Sequence, residues 1–266
     1  MPVAEGEVVG RDADGQAGLL GAARALDLDL SVAEARITLD RLHAELLGGA
    51  LDVDKSWLDV SSVPELDLHA HLTDVDLSKL PGAATHQLQG QGSLRADLHG
   101  RGVSVDALVH ALTGPVRVSG REIRGQGHMT HKVTVVNPLL GKLAERLRKK
   151  QGDRQVALHF REASALFALG ANKLTLKEPA LLRADAFTIH LDGAVGLDGA
   201  PALDGQIDIA PQAIAEATKG WLIPLRPIPL KLKLSGDAKE LKVELIEFAA
   251  SLAALAGARE NAVESE

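Results

Sequence analysis

Cysteine and tyrosine are absent from this 266-residue chain, and aromatic side chains make up only 2% of it. Without cysteine there can be no disulfide, no thiolate metal site and no cysteine nucleophile. The compartment stays open, because a cysteine-free chain suits periplasm and cytosol equally. The aromatic residues are Phe160, Phe167, Phe187, Phe248, Trp57 and Trp221, too few for the stacking platforms that hold single-stranded nucleic acid or sugars. A basic excess is missing as well. Lys and Arg number 29 against 36 Asp and Glu, a net charge of −7, so no nucleic-acid partner is expected. No apolar run is long: the longest, residues 248–258, has 11 residues, short of the roughly 18 that a membrane-crossing helix needs. The first residues carry Glu5, Glu7, Arg11, Asp12 and Asp14, and are not expected to act as a signal peptide.

What the chain does have is strict alternation. Leu66, Leu68, Ala70 and Leu72 alternate with Asp67, His69 and His71, and Leu94, Ala96 and Leu98 with Arg95, Asp97 and His99. Leu174 and Leu176 share a face, as do Phe187, Ile189 and Leu191, then Ile207 and Ile209, then Leu230, Leu232 and Leu234. Period-two alternation is the mark of a strand with one wet and one apolar face, which favours antiparallel pairing. Glycine signals at Gly48-Gly49, Gly90, Gly100, Gly120, Gly170, Asp192-Gly193, Asp198-Gly199, Asp204-Gly205 and Ser235-Gly236 read as turns between strands. The expected fold is mainly β, a meander of roughly a dozen antiparallel strands over residues 26–246 that forms a long curved sheet or groove. Residues 1–25 carry little pattern. Short helices are expected at 104–112, at 137–150 (Asn137 as cap, Pro138 first in the helix), at 211–219 and at 245–258, with a polar tail to 266.

Chemistry is harder to find. His69 and His71 lie two apart on one strand face, a spacing that can chelate zinc or copper with Asp67 as third ligand. The ordinary reading of the same pattern is a solvated strand face. His128 and His131, three apart, fall on opposite faces of a strand. The pairs Asp27/Asp29, Asp52/Asp54 and Asp74/Asp76 have no phosphate-cradling glycine loop beside them. Gly90-Gln91-Gly92 and Gly125-Gln126-Gly127 lack the third glycine of a dinucleotide site, and Gly102-Val103-Ser104-Val105-Asp106 lacks the last glycine of a nucleophile elbow. No catalytic residue, metal or cofactor is expected. The 137–150 segment carries Lys142, Arg146, Arg148, Lys149 and Lys150, which suit either contact with anionic headgroups or the dipole of a helix end.

The order of several stretches resembles the C-terminal region of the bacterial AsmA family. Residues 89–98, Gln-Gly-Gln-Gly-Ser-Leu-Arg-Ala-Asp-Leu, are followed by Gly102-Val103-Ser104-Val105-Asp106-Ala107-Leu108 and then by Ala111-Leu112-Thr113-Gly114-Pro115-Val116. Residues 187–193 and 203–209 are similar to that family's paired late strands. Residues 223–229, with three prolines, resemble its entry to a closing strand, and 42–49 its strand into a double glycine. The resemblance implies a membrane-associated, non-enzymatic protein of the cell envelope, facing the periplasm from the inner membrane. Its apolar β-groove would bind phospholipid or another acyl-chain lipid, in outer-membrane biogenesis or lipid transport between membranes. The resemblance also implies envelope-assembly proteins as partners. The sequence departs from the family pattern in lacking an N-terminal anchor helix. The implied groove residues are Leu66, Leu68, Leu72, Leu94, Leu98, Leu174, Leu176, Ile189, Leu191, Ile207, Ile209, Leu230, Leu232 and Leu234, with Arg146, Lys149 and Lys150 at the headgroup. The same alternation also fits a filled sandwich without a cavity, acting as a scaffold that pairs with partners through its sheet edges.

Overall fold

A computed structural model describes residues 24–80, 83–128, 130–133, 155–197, 199–217, 225–236 and 241–245. Among them the chain is mainly β, with fourteen strands and two short α-helices. Its contacts divide it into two units. One comprises Met1–Gly125 and Glu162–Glu178, the other Gln126–Arg161 and Pro179–Glu266.

In the first unit, β1 (Arg24–Ala33), β2 (Arg36–Leu46), β3 (Gly49–Asp59), β4 (Glu65–Asp76), β5 (Gln89–Arg101) and β6 (Gly114–His128) pair each with the next, all antiparallel. Helix α1 (Val105–His110) joins β5 to β6 where the sequence called for it. Ser104 caps it, its side chain accepting from the Ala107 N–H, and Leu108 anchors it on β5. After β7 (Thr130–Val133) comes β8 (Gln155–Gly170), whose end folds back in a hairpin on β9 (Lys173–Leu176).

In the second unit, β10 (Ala180–Arg183), β11 (Phe187–Gly196), β12 (Pro201–Ile209) and β13 (Ile228–Gly236) again pair antiparallel in order, followed by β14 (Leu241–Leu245). The parallel pairing of β14 with β7 departs from a meander. Helix α2 (Pro211–Ala217) starts at the proline that announced it. Leu245, near which the C-terminal helix was expected to start, is the last residue of β14; the rest of that segment and the 137–150 helix lie outside the described residues.

Several glycines expected at turns lie inside strands instead. Gly193 sits in β11 opposite Leu203, and Gly205 in β12 opposite Leu191. The reason is close approach rather than reversal. A Cβ on Gly193 would collide with the Ala202 carbonyl, and its φ of +123° is one that L residues rarely adopt. On Gly205 a Cβ would come within 2.7 Å of the Leu191 Cδ2 atom. Gly48, Gly199 and Gly236, by contrast, do stand at or beside chain reversals.

Bulges organise the first unit. Register shifts occur in each of the pairs β1–β2, β3–β4, β4–β5 and β5–β6. Besides a shift between Arg24 and Asp27 on β1, the extra residues are Asp40 on β2, Lys55 on β3, Asp74 on β4 and Glu122 on β6, the last three with φ near +50°. A bulged residue shifts the inside–outside phase by one. The apolar sequence shifts with it: Leu51 and Val53 give way to Ser56 and Leu58, and Leu66 to Leu72 gives way to Val75 and Leu77. Ser56, 3% exposed, fills the slip in β3. Its hydroxyl oxygen accepts the His69 N–H at 2.8 Å and its proton goes to the Asp54 carbonyl at 3.2 Å.

Replacing Gly193 with alanine is expected to cost roughly 1–3 kcal/mol, the scale of a forced backbone conformation. The reading is a lower Tm with the far-UV spectrum of the β-sheet retained; an unchanged Tm would contradict the close approach described for β11.

Candidate functional site

Registration turns the alternating leucines into rows. Residues directly opposite each other in an antiparallel pair lie on the same face, about 4.5–5.5 Å apart. One row crosses β1 to β6: Leu28, Leu42, Val53, Ala70, Ala96 and Val116. A second runs Ala44, Leu51, Leu72, Leu94, Val118, and a third Val32, Ile37, Leu58, Leu66. Leu68 faces Leu98 between them. Leu174 and Leu176 on β9 face Leu169 and Phe167 of β8.

The second unit has its own rows. Leu182, Ile189, Ile207 and Leu230 form one, and Ala180, Leu191, Gly205 and Leu232 the next. Ile209 lies between Phe187 and Ile228, and Leu234 opposite Leu203. Thus Leu66, Leu68, Leu72, Leu94, Leu98, Leu174 and Leu176 belong to one unit, and Ile189, Leu191, Ile207, Ile209, Leu230, Leu232 and Leu234 to the other. Arg146, Lys149 and Lys150 lie outside the described residues.

Exposure separates the rows. Leu191, Leu230 and Leu232 are buried. In the first unit burial is concentrated at Ala44, Val53, Ala96 and Val116, and at a small core where Leu46, Leu47 and Val75 pack with Leu51, Leu72 and Leu80. Elsewhere the same face is open: Leu94 keeps 36% of its surface, Val118 37%, Leu28 48% and Leu30 49%. The described helices in this unit are one six-residue α-helix and two single 3-10 turns, too little to cover six strands. An aliphatic surface left in water carries an unfavourable free energy of about 25 cal/mol per Å² that a ligand or partner can recover.

The opposite face is polar and organised by histidine–carboxylate contacts between neighbouring strands. His43 Nδ1 lies 2.6 Å from Asp52 Oδ1, His69 Nδ1 2.9 Å from Asp97 Oδ1, His99 Nε2 3.5 Å from Glu65 and, in the second unit, His190 Nε2 3.5 Å from Asp208. His69 also has Asp67 at 3.4 Å from its Nε2 atom. Its two nitrogens therefore turn to different carboxylates and do not converge with His71 on one point. Among the described residues no group of three such side chains could hold a metal ion. His128 ends β6 and His131 lies in β7, so they do not share a strand. Asp52 is taken up by the His43 ring and Asp74 by an ion pair with Arg121, and Asp76 caps a 3-10 turn, where the Ser78 hydroxyl and N–H hold its carboxyl below the usual range.

The Asp97 carboxyl is likewise held below its ordinary value of 3.8, chiefly by its hydrogen bond with His69, against some desolvation and with help from Arg95. A depressed carboxylate stabilises the fold above the unfolded-state pKa, and the gain is lost as pH falls through the folded-state value. Asp97→Asn is therefore expected to lower the Tm at pH 7, by the equivalent of about 1 kcal/mol. The gap from wild type should close as pH drops below 3.8; a gap that stays constant into acid would mean that the carboxylate charge contributes nothing.

Beside this geometry, comparison with known proteins adds no relative: no protein-family model, curated protein or solved structure matches the chain.

Proposed function

We propose that the chain is a non-enzymatic, AsmA-like protein of the cell envelope whose first-unit aliphatic face holds the acyl chains of a phospholipid. Its place would be the periplasm, in association with the inner membrane, and its role outer-membrane biogenesis or movement of lipid between membranes. One observation carries the reading: an aliphatic row runs across β1 to β6, kept in phase through the bulges at Asp40, Lys55, Asp74 and Glu122, yet Leu94, Val118, Leu28 and Leu30 remain open to solvent. A face used only for folding would gain from being covered. An acyl chain lying along it would gain about 0.8 kcal/mol for each CH₂ fully withdrawn from water. Such binding depends on area, so it would discriminate poorly among chain types.

A scaffold that pairs with a partner by strand addition is the second reading. It is favoured by β1, which among the described residues pairs only with β2 and exposes Leu28, Leu30 and Val32, the last at 66%.

Native mass spectrometry with solvent extraction of the purified chain distinguishes the two. Near-stoichiometric phospholipid or fatty acid is expected. The double variant Leu94→Glu/Leu98→Glu, which places two charges on the apolar side of β5, should lose that lipid while keeping the far-UV spectrum of the fold. A folded double variant that still carries lipid would remove this face from consideration. A clean apo mass for wild type would move the strand-addition reading ahead.

A further inference from the structure

The polar face of the first unit carries a charge arrangement that the lipid reading leaves unused. His71 on β4 lies opposite Arg95 on β5, and Arg95 lies opposite Arg117 on β6. These registers fall in stretches free of bulges, so the three side chains share one face in a single row. Two arginines directly opposed across a ladder repel, and like charges there are destabilising. The neighbouring carboxylates do not relieve them evenly. Asp97 is shared between His69 and Arg95, the latter at 3.3 Å; Asp52 is taken by His43; Asp74 is held by Arg121 at 2.7 Å. Arg117 and His71, both exposed, make no side-chain hydrogen bond or ion pair among the described residues.

The adjacent row supplies hydroxyls. Ser93 and Ser119 are directly opposite each other, two residues along from Arg95 and Arg117 and therefore on the same face. The Ser93 Oγ atom already accepts the Asp74 N–H at 3.1 Å, which leaves its own proton to be donated. We propose that Arg95 and Arg117, flanked by His71, Ser93 and Ser119, bind a phosphate oxyanion on the polar face of this unit.

The chemistry fits on both counts that decide such sites. Guanidinium forks match the oxygens of a phosphate two at a time, and charge-assisted hydrogen bonds are about twice as strong as neutral ones. An oxyanion between Arg95 and Arg117 converts their repulsion into a bridge. The phosphate is either free or the headgroup of a phosphomonoester lipid at a bilayer surface. The inference does not depend on acyl-chain binding, because the apolar rows lie on the other side of the sheet.

The test titrates inorganic phosphate into the full chain at low ionic strength. In parallel it sediments the protein with vesicles of phosphatidylcholine alone and of phosphatidylcholine containing phosphatidic acid. The variants are Arg117→Gln, Arg95→Gln and, as a control on β9, Lys173→Gln, each checked for its β spectrum and melting. Expected is saturable binding by wild type that weakens about tenfold or more in either arginine variant, as loss of a charge-assisted pair predicts. Lys173→Gln should bind like wild type. Binding of inorganic phosphate without preference for phosphatidic acid would identify the free ion, and preference for phosphatidic acid without phosphate binding would identify the headgroup. Should Arg117→Gln fail to fold, Arg117→Lys keeps the charge while losing the fork, and must also weaken binding. No binding in either arm, or equal loss in Arg117→Gln and Lys173→Gln, overturns the proposal.

Discussion

Everything described in the first unit depends on register. A strand in an antiparallel sheet has a side-chain period of two, so a slip of one residue would send a whole row of leucines to the polar face. Aliphatic rows nevertheless run from strand to strand, one of them from β1 to β6, because the shifts at Asp40, Lys55, Asp74 and Glu122 are each matched by a phase shift in the sequence. Asp40, Lys55, Asp74 and Glu122, which stand at four of the five shifts, are all charged and exposed. Hydrogen bonding of the ladder and burial of aliphatic carbon are thus satisfied together, where a straight ladder would have sacrificed one to the other.

The same constraint sorts the chemistry of the two faces. Rows that align leucine with leucine also align, on the reverse side, histidine with aspartate and arginine with arginine. His43–Asp52 and His69–Asp97 are register partners, so their contacts follow from pairing rather than from any loop built to position them. With side chains this exposed, each contact adds little to stability. They recur from β2 to β5 because the same register that aligns the leucines aligns them. Like charges also meet in register, Asp59 with Glu65 and Asp192 with Asp204 between carboxylates, and Arg95 with Arg117 between two guanidinium groups.

Much of this was legible in one dimension. Alternation at residues 66–72, 94–98, 187–191, 207–209 and 230–234 located strands correctly, and Ser104 and Pro211 marked the starts of both described helices. The Asp-Gly pairs at 192–193 and 204–205 misled, because a glycine that permits close approach of two backbones is written with the same letters as one that permits a turn. The bulges left a trace that alternation alone passes over: apolar residues change from odd to even positions within β2 and β3 and from even to odd within β4. The parallel contact of β14 with β7 left none, since the strands are far apart in sequence and neither pattern names its neighbour.

The amino-acid sequence by itself determined that the chain would be mainly β, that its core would be aliphatic and that each strand would have one wet and one apolar face. Those are properties of composition and of period, which every residue carries locally. Only the tertiary structure decided which leucines became buried, as Leu230 and Leu232 did, and which stayed open, as Leu94 did. It also decided that Arg95 would meet Arg117. Burial and cross-strand partnership depend on what lies beside a strand, and that information is distributed over residues tens of positions away.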